Sequence, residues 1–412
     1  MKSDFINELG TLFNLNNSIS DDIYNKLDVK RGLRNKNGTG VLVGLTKIGS
    51  VLGYSVNKKG KKIPEKGKLY YRGISIDKLV EQFEEEKTFC FEKTMFLLLF
   101  GKVPSNFELK MFVSTLKEYR HLPDEFIEDF ILRKPSTDIM NHLQRAVLCL
   151  YTLDENPNDV SLSNLIDQSF NLIAKFPSLL VYCYQACNYK HFKKSLIIHN
   201  PMEEYSIAEN ILHMLRSDSK FTKLESEILD LILVIHAEHG GGNNSTFTSH
   251  VISSTRTDTY SSISASIGSL KGPMHGGANS MVTKMIEDMK KNSNPYDEIK
   301  LKEYLKQIFE KKAFDKTGRI YGMGHAVYTV SDPRAEILKK KAYELAKEKD
   351  ALEEFELFSN VEKFTKEIGK ELKGKDFEIC ANVDLYSGFV YDLLDIPQNI
   401  FTPLFSLARI AS

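Results

Sequence analysis

The amino-acid sequence predicts an all-α fold with one small β meander near residues 41–73. Two patterns support this prediction. From Ile76 onward, apolar residues recur at helical spacing in nearly every segment, as in the run SIAENILHMLR. Before that point, apolar and polar residues alternate around the turn-forming runs NKKGKK and PEKG, which is typical of two or three short strands. We therefore expect a mainly helical protein with a single β region.

The composition is that of an ordinary soluble globular protein. The chain has 412 residues, of which 42% are hydrophobic and 27% are charged, and this length suffices for two domains. Lys+Arg and Asp+Glu both total 55, so the overall charge does not favour nucleic acid or an anionic membrane as a partner. No run of about 18 apolar residues and no apolar signal core occur, and the five cysteines lack CxxC spacing. We expect a cytoplasmic protein.

A capping box predicts where one functionally interesting helix begins. Thr222 and Glu225 have the spacing in which each side chain bonds the other residue's backbone N–H. The apolar run that follows predicts a helix that carries His236 and His239 in its last turn, and the glycines from Gly240 onward end it. Two histidines three residues apart share a helical face. However, HAEH lacks the HExxH spacing of a zinc site and no third ligand is evident, so we do not expect a metal.

His275 lies in PMHGGAN, just ahead of a predicted helix start. Unpaired backbone N–H groups and the positive helix end favour a neutral imidazole there. A neutral histidine can donate a hydrogen bond to a carbonyl oxygen on which negative charge develops. The alternative is a histidine packed in a glycine-rich turn.

Two arginines are candidates for binding an anionic ligand. Arg334 follows Asp332-Pro333, a strong N-cap and first-turn pair, so we expect its guanidinium beside a helix N-terminus, where anions bind. The alternative is an ordinary surface arginine. Arg409 lies in an apolar helix that starts near Thr402, and a buried arginine needs either a carboxylate partner or a bound anion.

Two further segments leave alternatives open. Asp384, in NVDLYSG, is either a helix cap or a functional carboxylate, and as a lone residue it fits a cap better. His325 lies in GMGHAV, a turn that its glycines make easy to form. This motif lacks the third glycine of a dinucleotide-binding fingerprint and no strand precedes it, which argues against a nicotinamide cofactor.

Together, HAEHGGGNNSTF, LKGPMHGGAN, GMGHAVY…DPRA, NVDLYSG and FTPLFSLARIA resemble the citrate synthase family, in order and spacing. LYYRGISIDKL, FEKTMFLLLFGKVPSNFEL and IAKFPSLLVYCY resemble its N-terminal half, so the similarity covers residues 40–412. It implies a helical homodimer. Each subunit would have a large domain, residues 1–276 with 377–412 returning to it, and a small domain, residues 277–376, that closes over the active site.

The resemblance also implies catalytic roles. By motif match, Asp384 would remove a methyl proton from acetyl-CoA, and His275 would stabilise the resulting enol through the thioester oxygen. His325 would polarise the carbonyl of oxaloacetate while the enol attacks it. Hydrolysis of citryl-CoA would release citrate and CoA, a reaction of the tricarboxylic acid cycle. Coenzyme A would act as a thioester co-substrate, and no tightly bound cofactor or metal is implied.

The same motif matches imply binding residues. His236, Arg334 and Arg409 would hold oxaloacetate, with two arginines for its two carboxylates. Five consecutive residues would lie along CoA: Ile320, Tyr321, Gly322, Met323 and Gly324.

Three alternative functions remain, and the chain differs from the family pattern in one respect. A 2-methylcitrate synthase would run the same chemistry on propionyl-CoA, a difference of one methylene. A non-catalytic homologue would bind CoA or organic acids without turnover, and a histidine-based metal hydrolase would hold stoichiometric metal.

Family chains usually continue beyond the position of Ala411, and an arginine from that tail reaches the partner subunit's oxaloacetate. Because this sequence ends at Ser412, we expect weaker oxaloacetate binding than in a longer form.

Overall fold

A computed structural model of the chain describes residues 20–26, 46–57, 62–86, 90–272 and 275–412. Contacts divide the chain into two compact units, Met1–Leu45 and Thr46–Ser412. Within the first unit, Asp21–Lys26 forms a short helix, α1. The second unit contains all the other described elements. In the described part of the chain, no helix is both long enough and apolar enough to cross a membrane.

The predicted β meander is confirmed where the structure describes it. Strands β1 (Gly49–Val56), β2 (Lys62–Tyr71) and β3 (Ile74–Ser75) form an antiparallel sheet in the order β1-β2-β3. The register shifts between Leu52 and Tyr54, which marks a bulge at Gly53. The rest of the predicted stretch, residues 41–45 and 58–61, lies outside the described residues.

Helices make up most of the remaining structure, which confirms the predicted all-α class. The first half of the second unit contains α2 (Ile76–Glu86), α3 (Phe91–Phe100), α4 (Asn106–Tyr119), a helical turn (Asp124–Phe126) that continues as a π-helix (Ile127–Leu132), α5 (Ile139–Cys149), a 3₁₀ turn (Leu150–Leu153), α6 (Leu162–Phe192), α7 (Ile207–Leu215) and α8 (Lys223–His236). The second half contains α9 (Asn244–Ser253), α10 (Thr259–Lys271), α11 (Ala278–Asn292), α12 (Glu298–Phe309), α13 (Pro333–Glu348), α14 (Leu352–Lys373), α15 (Val383–Leu393), a 3₁₀ turn (Gln398–Ile400) and α16 (Phe401–Ala408).

Helix α8 begins as predicted but ends earlier than predicted. The capping box of Thr222 and Glu225 is present. The helix stops at His236, so His239 lies beyond the last turn rather than in it. The hydroxyl of Tyr71 explains this difference. It donates to the carbonyl oxygen of Val234 at 2.8 Å and accepts the N–H of Glu238 at 3.3 Å. These two groups would pair with each other if the helix continued, so the tyrosine replaces their hydrogen bond.

Helices α8 and α13 pack together and place two predicted site residues at one end of the pair. Lys349, at the C-terminus of α13, forms an ion pair with Glu225, in the first turn of α8. Arg216 binds the same carboxylate at 2.7 Å. The helices are therefore antiparallel. His236, the last residue of α8, and Arg334, in the first turn of α13, lie at the opposite end.

Asp230 of α8 stabilises the start of α3, which lies 140 positions earlier in the chain, by direct hydrogen bonds. Its buried carboxylate accepts the backbone N–H groups of Cys90 at 2.9 Å and Phe91 at 3.2 Å. We predict that Asp230→Ala lowers the free energy of unfolding by about 3 kcal/mol, because it leaves buried donors unpaired. Urea denaturation measures this change. Glu227→Ala, at an exposed position one turn earlier, is the control. Equal midpoints for the two variants would contradict the assignment.

Candidate active site

One cleft brings together three of the predicted residues, His236, His275 and Asp384. They come from three separate segments: the end of α8, the turn before α11 and the first turn of α15. Phe401 and Phe405 of α16 also line this cleft. The cleft therefore combines one carboxylate, two imidazoles and an aromatic wall.

Asp384 is not the cap of its helix, so the capping interpretation is wrong. Asn382 is the N-cap, and its side chain accepts the backbone N–H of Asp384 at 3.0 Å. The Asp384 carboxylate is therefore available to the cleft. Burial raises its pKa to about 6, the nearby Arg334 opposes this shift, and Asp332 adds to it.

His275 occupies the predicted position, three residues before the first residue of α11. Its backbone N–H donates to the carbonyl oxygen of Gly272 at 2.9 Å, which closes the turn. Its Nε2 lies 3.1 Å from the Ser245 hydroxyl, which in turn lies 3.0 Å from the Ser266 carbonyl oxygen. Burial, assisted by the positive charge of Arg409, lowers the pKa of His275. The predicted neutral imidazole is consistent with this direction.

His325 has its ring oriented by the backbone of its own loop. Its Nδ1 accepts the N–H groups of Val327 at 3.0 Å and of Tyr328 at 3.2 Å. Because Nδ1 accepts both bonds, the proton of the neutral ring is on Nε2. The ring packs 4.7 Å from the Tyr328 ring and 4.9 Å from that of His239, centroid to centroid.

The glycines before His325 connect its loop to the start of α15. Gly322 and Gly324 have φ values of +82° and +85°, a region that glycine adopts without strain. The Gly324 N–H donates to the Cys380 carbonyl oxygen at 2.7 Å, and the Asn382 N–H donates to the Gly322 carbonyl oxygen at 2.9 Å. The Asn382 side chain donates to the Gly324 carbonyl oxygen at 2.8 Å. The segments of His325 and Asp384 are thus bonded to each other.

Arg334 is buried, so the surface interpretation of this residue is wrong. Asp332 caps α13 as predicted, accepting the N–H of Arg334 at 3.0 Å. The same carboxylate also binds the guanidinium through Nε at 3.0 Å and a terminal nitrogen at 2.7 Å. Arg334 interacts electrostatically with His236 and Asp384, which places it at the same site.

Arg409 follows the last residue of α16 and is directed at the end of α8. Its Nε donates to the backbone carbonyl oxygen of His236, and its guanidinium lies 4.6 Å from the Phe405 ring centroid. Burial lowers its pKa, and the negative charge of Glu238 opposes this shift. His275 and Arg409 also line a neighbouring cavity.

His236 and His239 are both held neutral. Burial lowers the pKa of His236 to about 3, and Arg334 and Arg409 add to the effect. Burial and Arg334 likewise lower the pKa of His239. Within the described ranges, no group of three or more histidine, cysteine, aspartate or glutamate side chains is arranged to hold a metal ion.

Five residues that support the site were not predicted from the sequence as site residues: Tyr71, Glu238, Ser245, Tyr328 and Asp332 in its role as a side-chain partner. Only Asp332 gave a local signal, because its N-cap position also brings it beside the Arg334 side chain. The others meet the site through contacts between distant segments.

Comparisons with known proteins agree with this geometry. The family profile "Citrate synthase, C-terminal domain" matches residues 37–412. A citrate synthase of Haloferax volcanii is 31% identical, over 93% of this chain and 89% of its own. The 2-methylcitrate synthase 1 of Corynebacterium glutamicum is 33% identical, over 85% of each chain. The chain therefore belongs to the citrate synthase family, and it is an enzyme.

Solved structures of the family share the fold. The citrate synthase from Pyrobaculum aerophilum matches with a TM-score of 0.70 and 27% identity, over 90% of this chain and 85% of that chain. The citrate synthase of the thermophilic archaeon Thermoplasma acidophilum, in a ternary complex with carboxymethyl coenzyme A and oxaloacetate, has a TM-score of 0.68 and 25% identity. It covers 89% of this chain and 87% of that chain.

We predict that the Asp384 carboxyl is neutral below about pH 6 and ionised above it. Infrared difference spectra between pH 4 and pH 8, with Asp384→Asn as the reference, measure this titration. The folded protein holds the proton to higher pH than the unfolded chain, so this group lowers stability as pH rises from about 4 to 6. Asp384→Asn should therefore be more stable at pH 7, by no more than about 3 kcal/mol. Titration near pH 4 would contradict the prediction.

Proposed function

We propose that this enzyme condenses acetyl-CoA with oxaloacetate to give citrate and free CoA. The observation that carries the proposal is the single cleft lined by His236, His275 and Asp384. A carbon acid as weak as a thioester methyl group needs a base and an oxyanion-stabilising donor at the same time. Asp384 and His275 would provide these two groups from segments about 110 positions apart in the sequence.

In the first step, Asp384 removes a proton from the methyl group of acetyl-CoA. Its pKa near 6 leaves it ionised at neutral pH and more basic than an ordinary aspartate. His275, whose pKa is lowered by burial, donates a hydrogen bond from its neutral ring to the thioester oxygen. The Ser245 hydroxyl, 3.1 Å from Nε2, would donate to that nitrogen in the reacting state, which leaves the ring proton on Nδ1 for the thioester oxygen.

In the second step, the enol carbon attacks the keto carbon of oxaloacetate. His325 donates a hydrogen bond from Nε2 to the keto oxygen, on which negative charge develops. The proton that Asp384 took from the methyl group balances the one that the new hydroxyl of citryl-CoA gains. The backbone bonds to its Nδ1 keep the proton on the nitrogen that donates. Water then hydrolyses the thioester and releases citrate and CoA.

Oxaloacetate carries two carboxylates, and two arginines, the buried Arg334 and the half-buried Arg409, are available for them. Arg409 presents its guanidinium beside His236, and Arg334 does so from the start of α13. Asp332 already binds Arg334 in a bidentate pair. The substrate carboxylate therefore has to use the remaining N–H groups of Arg334 or to compete with Asp332 for the guanidinium.

We assign the CoA contact to the segment of residues 320–324. Gly322 and Gly324 adopt left-handed backbone conformations, and their turn is bonded to residues 380–382 beside Asp384. This position would align the thioester with the base. Closure of a small domain, residues 277–376, over the large one would exclude water from the reaction. A cytoplasmic location and a role in the tricarboxylic acid cycle complete the proposal.

The primary test measures CoA thiol release with oxaloacetate plus acetyl-CoA, and separately plus propionyl-CoA. We expect turnover with acetyl-CoA and a loss of at least about 100-fold in Asp384→Asn, the usual effect of removing a general base. The control is Asp392→Asn, an exposed aspartate on the same helix, which should keep the wild-type rate.

Each other outcome has a definite meaning. A clear preference for propionyl-CoA would replace the proposal by 2-methylcitrate synthesis, the activity named for the Corynebacterium glutamicum relative. Binding of oxaloacetate and CoA without turnover would identify a non-catalytic homologue. Full activity in Asp384→Asn would refute the assignment of the base.

We also propose that the protein is a homodimer with α9 in its interface. None of the residues of α9 is buried in the single chain. Phe247 and Val251, one turn apart on this helix, expose 37% and 51% of their surface. An apolar stripe of this kind on a helix is commonly covered by another protein surface.

We predict that Val251→Asp weakens dimerisation by at least about tenfold, because it places a charge in an apolar interface. Light scattering after size-exclusion chromatography measures the mass of the particle. Phe107→Asp, at a position of α4 that is 73% exposed, is the control and should stay dimeric. A wild-type protein that is monomeric at all concentrations would contradict the proposal.

A further inference from the structure

We propose that the three-stranded sheet positions two active-site segments, the turn that carries His236 and the loop that carries His325. This inference rests on the proposed function, since it assigns positioning residues for that reaction. The sheet holds each segment through a pair of residues, one on β1 and one on β2. Neither pair contributes a group to the chemistry.

The first pair holds the turn after α8. Gly49 of β1 is the register partner of Tyr71 of β2. The Tyr71 hydroxyl bridges Val234 and Glu238, the residues on either side of His236 in the turn. Gly49 lies against Glu238, and a Cβ at Gly49 would be 2.7 Å from the Oε1 of that side chain. Only glycine leaves room for this contact.

The second pair holds the loop after His325. Gly53 of β1 and Gly67 of β2 adjoin the paired residues Leu52 and Lys68, at the bulge. A Cβ at Gly53 would lie 2.5 Å from the Val327 carbonyl oxygen. A Cβ at Gly67 would lie 2.6 Å from the Cδ1 of the Tyr328 ring. Such distances are too short for any real contact, so both positions require glycine.

Hydrogen bonds fix the loop against the same two glycines. The Thr329 hydroxyl donates to the Gly53 carbonyl oxygen at 3.0 Å. The Gly67 N–H donates to the Ser331 hydroxyl oxygen at 3.3 Å. The loop is therefore attached to the sheet on both strands.

The residues that touch the sheet are the ones that orient the His325 ring. Val327 and Tyr328 approach Gly53, and their N–H groups donate to Nδ1 of His325. Movement of this backbone away from the sheet would weaken both bonds. The proton would then be free to move to Nδ1, away from the nitrogen assigned to the keto oxygen.

The two pairs lie four residues apart on each strand, a separation of about 13 Å along the sheet. A hydrogen-bonded sheet changes little in length, so it sets the distance between the two segments. Oxaloacetate would bind between them, with His236 on one side and His325 on the other. The four-residue separation of the two pairs along the strands would therefore determine the distance between His236 and His325 in the active site.

The test compares substitutions on the two pairs. Thr329→Val removes the hydroxyl bound to Gly53 and keeps the side-chain shape. We expect kcat to fall about fivefold while KM for oxaloacetate changes less than twofold. Thr329→Ser restores the hydroxyl and should restore kcat. Tyr71→Phe acts on the other pair, and we expect KM for oxaloacetate to rise about fivefold with a smaller effect on kcat.

Two further measurements separate positioning from simple destabilisation. Lys68→Ala changes an exposed side chain of β2 and should leave both constants and the thermal midpoint unchanged. The ¹⁵N NMR signals of His325 report its tautomer without any turnover. We expect the wild type and Thr329→Ser to show the proton on Nε2, and Thr329→Val to show a mixture with Nδ1.

The outcomes are decisive in each direction. The kcat effect at Thr329, the KM effect at Tyr71 and the tautomer shift together would establish the role of the sheet. Equal effects of Tyr71→Phe and Thr329→Val on both constants, or an unchanged His325 tautomer in Thr329→Val, would overturn it. If the wild type lacked citrate-forming activity, the proposed function would fail, and the NMR signals would still decide whether the sheet orients His325.

Discussion

Asn382 is the residue on which the arrangement of the active site most depends. Its side-chain oxygen caps α15 by accepting the N–H of Asp384. Its side-chain nitrogen donates to the Gly324 carbonyl oxygen, and its backbone N–H donates to that of Gly322. One residue thus fixes the carboxylate of α15 and the loop of His325 relative to each other. The assigned base and the assigned donor to the keto oxygen come from segments about 60 residues apart, and without this junction nothing local would align them.

Burial determines the charge of each group in the cleft. It raises the pKa of Asp384 to about 6 and lowers the pKa of His236 and His275, so that a basic carboxylate coexists with neutral imidazoles. Arg334 and Arg409 strengthen the neutrality of the histidines, and Arg334 partly opposes the shift of Asp384. Asp332 limits the excess positive charge by pairing with Arg334. The free site is therefore balanced to receive a dianion, whose charge the two arginines then compensate.

The sequence predicted the fold class, and three of its candidate site residues line one cleft, but it did not predict the contacts that hold them there. Local signals were reliable where a single backbone bond decides the structure, as at the Asp332 cap. They failed at NVD, because asparagine and aspartate cap helices equally well and only the junction with Gly322 and Gly324 selects Asn382. The early end of α8 could not be predicted either. It depends on the Tyr71 hydroxyl, which lies more than 160 positions earlier in the chain.

The most direct test of the central claim is a crystal structure with oxaloacetate and carboxymethyl-CoA, the pair of ligands named for the Thermoplasma acidophilum complex. We expect the carboxymethyl group, which replaces the acetyl group, to lie between Asp384 and His275, within about 3 Å of each. We also expect Nε2 of His325 to face the keto oxygen of oxaloacetate. A carboxymethyl group bound away from Asp384, in the neighbouring cavity or elsewhere, would contradict the assignment of this cleft as the catalytic site.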